Sequence, residues 1–76
     1  MAPDEMKIRE LAALALAERN RLHDQMTNAI NDYIIVKNEK MRDKLLVEIR
    51  LLRTRKNAIE NTIAELQQTI KNITHD

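Results

Sequence analysis

Apolar residues recur along the second half of the chain at alternating spacings of four and three residues. Eight of the nine positions in this series are apolar, and the exception is Lys56. This heptad pattern is typical of a helix that packs along its whole length against another helix. It predicts a long helix over residues 39–73, approximately. The seam positions of this helix are Leu45, Ile49, Leu52, Lys56, Ile59, Ile63, Leu66, Ile70 and Ile73.

The first half of the chain has the same spacing and predicts a second long helix over about residues 4–36. Pro3 suits the first turn of a helix, where a backbone N–H would have no helical acceptor. Arg19 is the single polar member of this series. The seam positions are Ile8, Ala12, Ala15, Arg19, Leu22, Met26, Ala29, Tyr33 and Val36.

The two series do not share one register. A continuation of the first series beyond Val36 would place Lys40 and Asp43 in the seam. Asn38 tolerates a left-handed conformation and can also cap a following helix. The sequence therefore predicts a turn at about residues 37–39 and an antiparallel two-helix coiled-coil hairpin. The alternative is one long continuous helix with a kink, because no glycine marks a helix end.

Composition limits the fold to one all-α domain over residues 1–76. The chain contains no cysteine and no glycine, and Pro3 is its only proline. A sheet would need turn residues between its strands, and a disulfide would need cysteines. A chain of this length is only marginally stable by itself. We therefore expect the hairpin to be completed by oligomerisation or by a partner.

The chain carries more apolar residues than one seam can bury. The runs 11–17 and 33–36 are apolar on every side of a helix, whereas two helices side by side bury only one stripe each. Surplus apolar surface is typical of an interaction site. We interpret it as an interface for a protein partner, for a homo-oligomer, or for both. The predicted interface residues are Leu11, Leu14, Leu16, Ile34, Ile35, Leu46, Val47 and Leu51.

Charge is distributed unevenly along the chain. The formal net charge is +1, yet residues 37–56 contain eight basic and three acidic residues. One interpretation is a solvated face with salt-bridged neighbours. The other is an electrostatic patch for nucleic acid or for an acidic partner. In the second interpretation the candidate contacts are Arg50, Arg53, Arg55 and Lys56.

The two cations within the seams, Arg19 and Lys56, are expected at nearly the same level of the hairpin. Two facing cations repel each other unless a carboxylate lies near or their stems carry the charge to water. Glu18, Glu60 or a carboxylate of the partner could supply that charge. A polar layer in an apolar seam often fixes register or partner choice.

The sequence offers little basis for catalysis or for a cofactor. Phosphate-binding loops need glycines, and the chain has none. His23 and His75 are the only histidines, too few for a convergent metal site. We therefore expect no enzyme activity, no metal, no cofactor and no small-molecule substrate. Short apolar runs and the acidic Asp4 and Glu5 near the start favour a cytoplasmic protein that does not bind membranes.

Residues 57–64, which read Asn-Ala-Ile-Glu-Asn-Thr-Ile-Ala, lie in the second predicted helix. This run and the lengths of the two predicted helices, the arms of the hairpin, resemble those of the small helical-hairpin co-chaperones of type III secretion needle subunits. In that family, a two-helix protein supports a second chaperone, and together they hold the needle subunit in the cytoplasm. The resemblance implies a cytoplasmic chaperone or adaptor without enzymatic activity. The alternative function is a nucleic-acid-binding or regulatory hairpin dimer that uses the basic stretch 37–56.

Overall fold

The computed structural model describes the backbone of residues 2–74 and the side chains of residues 5–74. It contains two helices, α1 (Ala2–Ile35) and α2 (Glu39–Thr74), and the described residues form no strand. The chain extends 57 × 14 × 13 Å along its principal axes. A continuous helix of this many residues would be about 110 Å long at 1.5 Å per residue. The antiparallel hairpin is therefore confirmed, and the continuous-helix alternative is wrong.

Residues 36–38 connect the two helices, and Asn38 begins the second one. The Asn38 side-chain oxygen accepts hydrogen bonds from the backbone N–H of Lys40 at 2.9 Å and of Met41 at 3.3 Å. An N-cap of this kind satisfies amides that have no helical acceptor. No non-glycine residue in the described range has a positive φ, so Asn38 acts as a cap and not as a left-handed helix end. The first helix ends one residue earlier than the sequence predicts.

The turn end of the hairpin is held by a contact between the helices. The guanidinium of Arg42 lies 4.4 Å from the centroid of the Tyr33 ring. A cation over an aromatic face is attracted to the negative charge of the ring surface. Glu39 lies in the first turn of α2, where its charge complements the helix dipole. The contact between Arg42 and Tyr33 ties the end of α1 to the start of α2.

The seam predicted from the spacing is the core of the hairpin. Every seam position of both helices is buried or partly buried. The most deeply buried residue is Leu22, which is 2% exposed. It forms a cluster with Ala29, Ile49 and Leu52. Met26, Ile30, Tyr33 and Ile59 pack against this cluster.

This core is small for the length of the chain. The radius of gyration is 17.1 Å, whereas a compact domain of 76 residues would have about 11 Å. The elongated shape leaves each helix with one side against its neighbour and three sides open. No helix in the described part of the chain has the length and apolar character needed to cross a membrane.

Candidate protein-interaction faces

Two faces flank the seam along the length of the hairpin. In an antiparallel pair, the residues that directly follow the seam positions in both helices lie on one side, and those that directly precede them lie on the other. The first side includes His23, and we call it the His23 face. The second includes Gln25, and we call it the Gln25 face. Separate clefts confirm the division: Glu60 lines a cleft with His23, and Arg55 lines one with Gln25.

The Gln25 face exposes most of the large apolar side chains outside the seam. Leu14 is 68% exposed and Ile35 is 73% exposed, and Leu11 and Leu51 are each more than half exposed. All four belong to the interface predicted from the sequence. Met41, which is 55% exposed, lies on the same face but was not among the predicted residues. The seam spacing, continued from Leu45 toward the turn, would next reach Arg42. Met41 directly precedes that position, and this could have identified it as a residue of the Gln25 face.

Most apolar residues of the His23 face are less exposed than those of the Gln25 face. Ile34 is exposed, but Leu16 and Leu46 are partly buried. The structure therefore divides the predicted interface set, because the hairpin itself covers part of these last two side chains. Ile30, which packs against the core cluster, also belongs to this face. Val47 lies on the outer surface of α2, between the two faces, and is 55% exposed.

A polar layer interrupts the seam near the middle of the hairpin. Arg19 and Lys56 line one cleft, as the sequence predicts, together with Asn20, His23 and Glu60. The ammonium of Lys56 lies 3.1 Å from Nδ1 of His23. Because an ammonium only donates, Nδ1 is the acceptor in this contact, which corresponds to the imidazole tautomer with its proton on Nε2. Arg19 donates to the side-chain oxygen of Asn20 at 3.2 Å.

The carboxylate of Glu18 does not neutralise this layer. It accepts hydrogen bonds from Arg21 instead. The hydrogen bond and the charge of Arg21 lower the pKa of Glu18, and the same pair raises the pKa of Arg21. Among the described side chains, ion pairs join only Arg9 to Glu5 and Arg21 to Glu18. The cations of the polar layer therefore have no ion-pair partner within this part of the chain.

The basic residues proposed for nucleic-acid contact do not share one face. Arg50 and Arg53 follow seam positions and lie on the His23 face. Arg55 lines the cleft on the Gln25 face, and Lys56 lines the polar layer. The basic stretch is continuous in sequence but is divided around α2, because successive residues of a helix are about 100° apart.

Within the range described, no group of three or more histidine and carboxylate side chains is placed to hold a metal ion. Comparisons of this chain with protein-family models, with curated proteins and with solved structures found no match.

Proposed function

We propose that this chain is a non-enzymatic protein–protein interaction module, a small cytoplasmic adaptor or co-chaperone. The observation that carries the proposal is the row of exposed apolar side chains on the Gln25 face, from Leu11 and Leu14 near the open end to Ile35 and Met41 near the turn. Surface of this kind favours a protein partner, because its burial removes apolar area from water.

The total surface of the hairpin also supports a partner. The accessible surface is 6069 Å² for a chain of 8.9 kDa. A compact folded monomer of that mass would expose about 4,800 Å². The hairpin therefore exposes about a quarter more surface than a compact chain of its size. Packing against another helix would cover the excess, as it does in helical bundles.

The co-chaperone assignment depends on the resemblance of residues 57–64 and of the arm lengths to type III secretion co-chaperones. The two observed helices contain 34 and 36 residues, which suits a hairpin that lies along a helical partner. A cytoplasmic location is part of this proposal. Nucleic-acid binding has less support, because Arg55 lies on the opposite face from Arg50 and Arg53.

Co-purification from the native cell tests the proposal. The baits are the parent chain, the double variant Leu11→Gln/Leu14→Gln and the control Ala17→Gln/Asn31→Gln. All four positions are exposed, and neither variant changes the net charge. The control residues lie on the outer surface of α1, two positions before a seam residue. Circular dichroism checks that all three baits have the same helicity.

A protein partner that binds the parent and the control but not the leucine variant supports the proposal. Retention of the same partners by all three baits contradicts a role for the Gln25 face. Recovery of nucleic acid instead of protein would favour the alternative. The amount of nucleic acid recovered should then fall steeply as the salt concentration rises, because the formation of phosphate contacts releases counterions.

A further inference from the structure

We propose that the His23 face binds a helix of a partner protein whose middle is acidic and whose flanks are apolar. The inference rests on the proposed function and adds to it a second face, with the chemistry of its ligand. It depends on three features of this face: an excess of positive charge at its centre, apolar residues at both sides of that centre, and a cleft between them.

The centre of the His23 face is positively charged. Arg19 and Lys56 reach it from the seam, Arg53 lies beside it, and Arg50 lies about one turn farther toward the hairpin turn. Glu60 is the one carboxylate that lines the central cleft. Within the cleft two cations face one anion, Arg50 and Arg53 add two positive charges toward the turn, and none of the four has an ion-pair partner among the described residues. Carboxylates of a docked segment would neutralise this excess, with hydrogen bonds strengthened by charge.

The cleft at this centre has room for such a group. Its volume is about 250 Å³, and its walls include the Lys56 ammonium, the Arg19 side chain and the His23 ring. The ammonium has three donors, and only one is directed at Nδ1 of His23. Two donors of Lys56 are thus available to an incoming carboxylate without loss of the existing hydrogen bond.

Apolar residues flank this centre at equal distances. Leu16 precedes His23 by seven residues, and Ile30 follows it by seven. Seven residues are two helical turns, or about 10 Å along the axis. Ile34 and Leu46 extend the apolar part beyond Ile30 toward the turn. A helix lying along this face would therefore match it with acidic residues in one heptad and apolar residues in the heptads before and after.

A second copy of the chain fits this face less well. Pairing about a two-fold axis at the centre would place the cations of one copy against the cations of the other, which is unfavourable at short range. Nucleic acid fits less well too, because its regular phosphates offer nothing to Leu16 and Ile30. The sole aromatic, Tyr33, is covered by Arg42 and is not available for base stacking.

Three designed peptides of about three heptads each test the proposal. The first has leucines in its outer heptads and glutamates in its central heptad. The second replaces the glutamates with glutamine. The third has glutamates in its outer heptads and leucines in its central heptad. Fluorescence anisotropy measures their affinity for the parent hairpin. It also measures their affinity for Arg50→Gln/Arg53→Gln and for the control Lys44→Gln/Arg55→Gln. Both double variants remove two exposed positive charges, but the control removes them from the Gln25 face.

We expect the first peptide to bind the parent more tightly than the other two do. The loss of Arg50 and Arg53 should weaken its binding about five- to tenfold, or about 1.0–1.4 kcal/mol, since each exposed ion pair contributes only modestly. The control should bind within about twofold of the parent, because only screened long-range charge is lost. Equal binding of the glutamate and glutamine peptides, equal losses in both variants, or no binding at all would overturn the proposal.

Two further measurements exclude the other occupants. Sedimentation of the hairpin alone would reveal a dimer, and stronger dimerisation of Arg50→Gln/Arg53→Gln would identify a second copy as the ligand and overturn the proposal. Tighter binding of a labelled RNA hairpin than of the first peptide, through the same two arginines, would overturn it too. The co-purification test changes Leu11 and Leu14 on the other face, so failure of the peptide test would leave that result intact.

Discussion

The seam and the Gln25 face contain the same kinds of residue in different environments. Leu22 in the seam is 2% exposed, whereas Leu14 on the Gln25 face is 68% exposed, and both are leucines of α1. The difference comes from position in the heptad, since only one stripe of each helix meets its neighbour. Apolar character alone therefore does not identify a core residue in this chain. The comparison separates the residues that hold the hairpin from those available to a partner.

The largest expected effect comes from a charge placed in the seam. Ile63 is 5% exposed, and Ile63→Asp would bury a carboxylate without a partner, which costs several kcal/mol. We expect loss of cooperative unfolding, followed by circular dichroism during thermal melting. Ile34→Asp is the control, because Ile34 is 71% exposed. Equal melting of both variants would show that the seam and the faces do not differ as described.

Truncation of leucines gives the next largest effect. Leu22→Ala removes a buried side chain and leaves a cavity, so we expect a loss of about 2–5 kcal/mol in the free energy of unfolding. Leu14→Ala should change it by less than about 0.5 kcal/mol, as is usual for surface positions. Urea denaturation of both variants at the same protein concentration measures the difference. A large effect of Leu14→Ala would mean that a second molecule covers that residue in solution.

Replacement of a seam cation by an apolar residue should stabilise the hairpin, whereas the preceding substitutions in the seam destabilise it. Lys56→Leu would extend the apolar seam through the polar layer and should stabilise the hairpin by about 1 kcal/mol, since the site is only partly buried. Lys71→Leu, at an exposed position of α2, should leave the melting temperature nearly unchanged. A lower melting temperature for Lys56→Leu would show that the bond to His23 contributes more than leucine burial.

The smallest effect is expected at the connection between the helices. Asn38→Ala removes the acceptor for the amides of Lys40 and Met41 and should cost about 1 kcal/mol. Asn38→Ser keeps an acceptor at the cap and should stay near the parent. Thermal melting compares the two variants directly. If both destabilise equally, the side-chain hydrogen bonds are not the reason for the contribution of Asn38.

Much of the fold could be predicted from the sequence because a heptad seam is a one-dimensional signal. The spacing identified the stripe of each helix that is covered, including the polar members Arg19 and Lys56. The residue at which α1 ends is harder to predict, because no glycine stops the helix and its last residues can adopt either a helical or a turn conformation. The sequence allows Asn38 either a left-handed conformation at the end of α1 or a capping role at the start of α2. Its backbone geometry shows that it is the cap.

The faces were harder to predict than the seam. Leu16 and Leu46 are partly buried while Leu11 and Leu51 are exposed, although spacing alone treated all four as surplus residues. The difference depends on how far each helix is rotated about its own axis toward the other, and a periodic pattern does not define that rotation. The acceptor of the Lys56 ammonium depends on the same rotation.

The position of Tyr33 determines what optical spectroscopy can report about this molecule. It is the only aromatic residue of the chain, and it lies near the turn beneath Arg42. Its intrinsic fluorescence and near-ultraviolet signal therefore report on the closed end alone, and separation of the helices at the open end is silent in both. Far-ultraviolet signals come from peptide groups along both helices. A melt that starts at the open end would therefore show an earlier far-ultraviolet transition and a later tyrosine transition.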